Sequence, residues 1–210
     1  MKALLATVGF SLGGAAAAAL LGHAPQPSRV TSAPKPAQAA VPAGRVAIAP
    51  EEVRQALAAG LLARPIGTIL DVRTPMSYGD YRWDDKGVPA GPTWVRVDLR
   101  SQLISVFRSG QEIGTAVILY GADGVATPTG KFPILAKMKD HRSVTYDGAP
   151  MPYTLRLTRD GVSIHGSNVR WGFATHGCVG VPTAFAAKLF EAVKTGDEVL
   201  IIGDLPSKTA

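Results

Sequence analysis

Ile164-His165-Gly166-Ser167-Asn168-Val169-Arg170-Trp171-Gly172-Phe173-Ala174-Thr175-His176-Gly177-Cys178-Val179-Gly180 is the stretch from which the fold and the chemistry are both read. It holds the only cysteine of the chain and two of its four histidines. A thiol is a useful nucleophile only as thiolate, and a neighbouring imidazole is the usual means of forming one near neutral pH. A lone cysteine is otherwise often a small hydrophobe in a core. The His-Gly that precedes Cys178 turns the reading towards catalysis.

Outward from this stretch, periodicity of two dominates. Tyr153 to Arg159 alternates, Asp160-Gly161 reads as a tight turn, and Val162 to His165 returns as the second arm of a hairpin. With Val162 and Ile164 on the core side, Ser163 and His165 face the other way, towards a cleft. Upstream, Trp94 to Leu99, Leu103 to Arg108 and Thr115 to Tyr120 read as strands. Downstream, Thr183 caps a helix reaching about Lys194, with Phe185, Leu189 and Val193 on its inner side. Gly196 stops it, and Val199 to Ile202 closes the sheet. The expectation is a mostly-β domain with one sizeable helix after Cys178. No βαβ alternation is present, which argues against a doubly wound fold.

The Ile-His-Gly strand end followed by Thr175-His176-Gly177-Cys178 resembles the signature of the L,D-transpeptidase (YkuD-like) catalytic domain family. Thr127-Pro128-Thr129-Gly130-Lys131-Phe132, Met151-Pro152-Tyr153 and Gly196-Asp197-Glu198-Val199 follow the family in the right order. The resemblance spans 92–203 and implies a β-sandwich-like fold. It departs from the family twice. Thirteen positions separate His165 from Cys178, a short spacer, and Gly180 stands where the family commonly has Arg or Asn.

The resemblance implies roles residue by residue. Cys178 is the nucleophile, His165 takes and returns its proton, and His176 supports the site. Backbone N–H groups at Gly177 and Cys178 are natural oxyanion donors, glycine allowing close approach of a substrate. Thr175, Ser167 and Tyr153 are expected near the substrate, with the Thr127–Gly130 turn beside them; a bond within the loop is the other reading of Thr175, and core packing explains Tyr153 nearly as well. A carbonyl near Gly166 or Ser167 would orient the His165 imidazole in place of an acidic third member. Arg170, in the shortened spacer, is the first candidate to replace the missing cation at Gly180; Arg156 is second, being on a regular strand. The resemblance implies no metal and no cofactor. Zinc on His165, His176 and Cys178 is the alternative that their chemistry leaves open. His141, within Lys139-Asp140-His141-Arg142, reads as a solvated loop.

The amino terminus has Lys2 and then an apolar, alanine-rich run from Ala3 to Gly22, a secretory signal or an uncleaved anchor covering 1–24. Proline, alanine, serine and threonine make 25–49 a tether. Residues 50–91 read as an extension packing on the domain. Pro50 opens a short helix there, and Gly79–Gly87 reads as a solvated loop packing its aromatics on the domain, with a grip on a sugar or a cation held by Asp84 and Asp85 as the alternative. The formal charge of +6 suits an anionic polymer, but no basic run, zinc spacing or RNA-binding motif points to nucleic acid. One cysteine excludes an internal disulfide.

By resemblance, then, the chain is an exported enzyme of the periplasm or cell envelope. It forms a thioester with a peptidoglycan tetrapeptide stem, releases D-alanine, and passes the acyl group to an amine of another stem or of an envelope protein. Contact with a membrane is expected only through an amino-terminal anchor. Water as acceptor would make it a carboxypeptidase or endopeptidase, and a non-catalytic wall-binding module is a further alternative.

Overall fold

The computed structural model describes residues 41, 43–121 and 125–203. The expected export segment at 1–24 and most of the tether lie outside the described residues. The tether was expected to run to 49, but its last part is structured. Arg45–Ala47 forms β1, in which the buried Arg45 guanidinium donates to the carbonyls of Glu112 and Asp84. The short helix expected at Pro50 is α1 (Pro50–Ala58), with proline at its first turn and Glu51 and Glu52 beside its amino-terminal dipole.

Among the described residues, eleven further strands follow β1. They are β2 (Thr68–Leu70), β3 (Tyr81–Trp83), β4 (Thr93–Asp98), β5 (Leu103–Arg108), β6 (Gln111–Val117), β7 (Gly130–Pro133), β8 (Ala136–Arg142), β9 (Pro150–Arg156), β10 (Ser163–Ser167), β11 (Val179–Pro182) and β12 (Glu198–Ile202). The helix α2 (Thr183–Ala192) lies between the last two. Thr183 is its first residue rather than its cap; Pro182 occupies the cap with no side-chain bond. Proline supplies no capping oxygen, so burial of Phe185, Ala186 and Leu189 holds the helix in place.

One sheet has the order β1-β2-β6-β5-β4-β12-β7, with β3 also paired to β6. The second has the order β11-β10-β9-β8. Val95, Val97, Ile104, Val106, Val199 and Ile201 from the first meet Leu155, Ile164, Val179, Val181 and Phe185 in one core. The opposite face of the first sheet is also covered: Trp94 stacks on Phe107 at 4.6 Å, under Leu62, Ile66 and Ile69. An antiparallel bridge from Leu119, just after β6, to Gly180 of β11 ties the first sheet's chain to the quoted stretch. Its two hydrogen bonds are 2.8 and 2.9 Å.

Candidate active site

The turn before β10 is built as its sequence demands. Gly161 has φ +111°, a conformation side chains disfavour, and Val162 N donates to Thr158 Oγ1 at 2.9 Å. The hairpin pairs Ser163 with Arg156 and Ile164 with Leu155, while β11 runs parallel with Ile164 opposite Val179 and His165 opposite Gly180. Ile164 and Val179 are buried in the core. Continued by one residue, that register sets Cys178 against Ser163. Arg156, Ser163 and Cys178 therefore form a row across the sheet, and His165 is the diagonal neighbour of Cys178 on the same face.

Cys178 opens into a cleft of about 520 Å³, lined also by His141, Tyr146, Arg156, Ser163 and His176. A larger cavity, about 700 Å³, lies under α1 against the outer face of the first sheet. It is walled mainly by aliphatic side chains and contains no thiol, whereas the smaller cleft holds Cys178.

The loop carrying the thiol is tied from behind. The Cys178 carbonyl accepts from Thr175 Oγ1 at 2.5 Å and from Thr127 Oγ1 at 3.4 Å. Thr127 is itself fixed by Gly121 N at 2.9 Å. Thr175 thus faces the loop backbone, not an incoming substrate. Gly177 is buried at φ +94°, and among the described residues its N–H has no acceptor. Gly121 is required for the same closeness: a Cβ there would fall 2.1 Å from Val125 O and 3.0 Å from Gly177 N.

His165 Nδ1 lies 3.0 Å from the Gly166 carbonyl. Donation of Nδ1–H to that oxygen leaves Nε2 with its lone pair free, the tautomer that accepts a proton. Burial holds the imidazole below its ordinary pKa; the Gly166 bond opposes this, and the nearby His141 adds to it. Burial likewise pushes the Cys178 thiol up, against the pull of the Ser163 N–H. The sulfur's hydrogen-bond contact is with Gly161 O at 3.9 Å, and among the described residues no hydrogen bond joins it to an imidazole. Both directions favour the uncharged forms, thiol and neutral imidazole.

His176 is exposed and stacks on Tyr146 at 4.2 Å between ring centroids. Ser167 pairs with Pro182 of β11 and does not line the cleft; a Cβ added at Gly180 would come 3.0 Å from the Ser167 Cβ. Glycine at 180 therefore follows from packing between Ser167 and Leu119. Tyr153 turns away from the cleft and packs edge-on against Phe190 of α2 at 5.8 Å. Arg170 is exposed, held by Asn168 Oδ1 at 2.9 Å, and does not line the cleft. Arg156 does line it, with Nε donating to Thr158 O at 3.1 Å and Nη2 to Arg159 O at 2.5 Å.

One cleft residue, His141, escaped the sequence reading, and two that it named, Arg156 and Ser163, have other weights in the cleft than it gave them. His141 belongs to β8 rather than a solvated loop; its flanking Lys139, Asp140 and Arg142 hide a strand whose partner is β9. Arg156 was ranked second because strand residues give no hint of which cleft they border. Ser163 contributes its backbone N–H, for which a sequence carries no signal. Among the described residues, no three His, Cys, Asp or Glu side chains gather as metal ligands.

The L,D-transpeptidase catalytic domain model (YkuD) matches residues 92–201. Among solved structures, the chain is similar to the L,D-transpeptidase of Stackebrandtia nassauensis: 26% identity over 63% of this chain and 63% of that one, TM-score 0.50. It is similar to the Ldtfm–avibactam carbamoyl enzyme at 27% identity, over 53% of this chain and 49% of the other, TM-score 0.49. For a cysteine-to-serine mutant of the Enterococcus faecium L,D-transpeptidase the values are 24%, 54%, 50% and 0.48. The chain spans between about half and under two thirds of the length of these three. No curated protein matches it.

Proposed function

The chain belongs to the L,D-transpeptidase catalytic domain family, and from that premise we propose that it is an extracytoplasmic peptidoglycan acyltransferase with Cys178 as nucleophile. The observation that carries the reading is the shared sheet face of Cys178 and His165, with the imidazole in the proton-accepting tautomer. With neighbouring strands about 4.8 Å apart and two residues advancing about 6.6 Å, the diagonal Cα atoms stand roughly 8 Å apart, a span that the imidazole and thiol side chains bridge. As substrate closes over the thiol, His165 Nε2 takes its proton. The sulfur attacks the carbonyl preceding the terminal D-alanine of a tetrapeptide stem. A C–S bond forms, the C–N bond breaks, and the proton passes to the departing amine. The amine of a second stem, or of an envelope protein, then attacks the thioester and regenerates the thiol.

The Gly177 and Cys178 amides are assigned to the oxyanion. Arg156 replaces Arg170 as the cation for the stem carboxylate, because it borders the cleft and Arg170 does not. The four ion pairs among the described residues all involve other groups, so the Arg156 charge is available. Mass spectrometry of disaccharide-tetrapeptide incubated with the protein separates the outcomes. Cross-linked dimer with free D-alanine supports the transpeptidase; tripeptide without dimer makes water the acceptor; unchanged substrate refutes both.

A further inference from the structure

We propose that the shortened spacer forms a glycan-binding platform beside the thiol loop, holding the sugar strand to which a stem peptide is attached; this rests on the proposed function. Trp171 is 81% exposed and Phe173 62% exposed, an unusual amount of aromatic surface to leave in water. Three contacts hold the turn that displays them. Phe173 N donates to Arg170 O at 3.3 Å, Gly172 turns at φ +78°, and Val169 anchors the segment in the interior. The Tyr78 ring meets Trp171 edge-on at 5.6 Å, propping one side and leaving the other open.

Next to this turn is a hollow of about 280 Å³ walled by Tyr78, Gln102, Leu119, Tyr120, Gly121, Phe173 and Ala174. Among the described residues its lining carries no charged side chain, and its side-chain polar groups are amide and hydroxyl; Tyr78 Oη donates to Gln102 Oε1 at 2.8 Å. Gly121 is also bridged to Thr175, whose hydroxyl holds the Cys178 carbonyl, so the hollow and the thiol loop share a wall. An aromatic face beside neutral amide and hydroxyl groups suits a ligand with an apolar C–H face and a rim of hydroxyl and acetamido groups. That is an N-acetylated sugar. A membrane-inserting patch would instead join apolar residues to a basic rim; among the described residues the hollow is lined by no lysine or arginine, and Arg170 is the one cation of the turn itself.

The test uses the full chain and an N-acetylglucosamine tetrasaccharide as probe, with calorimetric titration and tryptophan fluorescence as readouts. Trp94 is buried and Trp83 half-buried, so a fluorescence change reports chiefly Trp171. The wild type should bind, Trp171→Phe should bind more weakly, and Trp171→Ala should not bind. Kinetics give the second arm. The KM for disaccharide-tetrapeptide should lie below that for free tetrapeptide, and Trp171→Ala should raise only the former, roughly three- to tenfold, with kcat kept. Tetrasaccharide binding lost in Trp171→Ala, with neither peptide turned over, would retain the platform and remove the proposed reaction. No tetrasaccharide binding, or equal KM values for both substrates, would overturn the platform while leaving the reaction standing. Binding to phosphatidylglycerol vesicles that Trp171→Ala abolishes, without any binding of the sugar, would overturn it in favour of a membrane.

Discussion

At the residue scale, burial sets the charge state of the site. It raises the Cys178 thiol and lowers the His165 imidazole, and both shifts favour the uncharged pair over an ion pair. Alkylation of Cys178 by iodoacetamide should therefore be slow at pH 7 and climb only as pH passes the ordinary thiol value of about 8.5. His165→Ala should leave the position of that profile almost unchanged. A reactive plateau below pH 7 that His165→Ala removes would mean that a thiolate–imidazolium pair exists at rest. A second prediction separates the two arginines. Arg156→Ala should raise the KM for a stem peptide about tenfold or more with a modest change in kcat, the pattern of a lost binding contact. Arg170→Ala should leave the KM for free tetrapeptide unchanged; the reverse ranking would return the anchor to the spacer.

At the scale of elements, the thiol loop depends on the contact between two sheets. Gly180 exchanges two hydrogen bonds with Leu119 and has Ser167 against its Cα. Gly180→Arg should destabilise by about 1–3 kcal/mol through overpacking. Adding Ser167→Gly should recover part of that loss; equal thermal midpoints for wild type and Gly180→Arg would contradict the crowding. Phe185 shows how α2 is fixed: it is fully buried and meets Trp83 edge-on at 5.5 Å. Phe185→Ala should cost about 3–5 kcal/mol, read by denaturant unfolding. Much of this was legible in the sequence. The strand expected at Leu103 to Arg108 is β5, and the Asp160-Gly161 turn leads into β10. What escaped was strand content without alternating hydrophobicity. In β8, Lys137, Lys139 and Arg142 give no apolar period because the strand lies at a sheet edge, half in water. The third strand was expected at Thr115 to Tyr120 but begins at Gln111, since Glu112 is a buried acid that accepts from Leu70 N.

At the scale of the molecule, the strands before residue 92 belong to the same sheet as the family domain. β3 lies along β6, and a Cβ at Gly114 would fall 2.3 Å from the Trp83 ring. Leu62, Ile66 and Ile69 cover Trp94 and Phe107. A chain beginning at residue 92 should consequently aggregate or lose cooperative unfolding, because it bares that aromatic pair and one edge of β6. Cooperative unfolding at the full chain's midpoint would show the extension to be dispensable. The central claim is that Cys178 carries the acyl group. Its most direct test is rapid acid quenching of the protein during turnover of disaccharide-tetrapeptide, followed by mass spectrometry of its peptides. The peptide containing Cys178 should carry the mass of the substrate less D-alanine, and Cys178→Ala should give neither adduct nor free D-alanine. An adduct on any other residue, or D-alanine released by folded Cys178→Ala, would contradict the account.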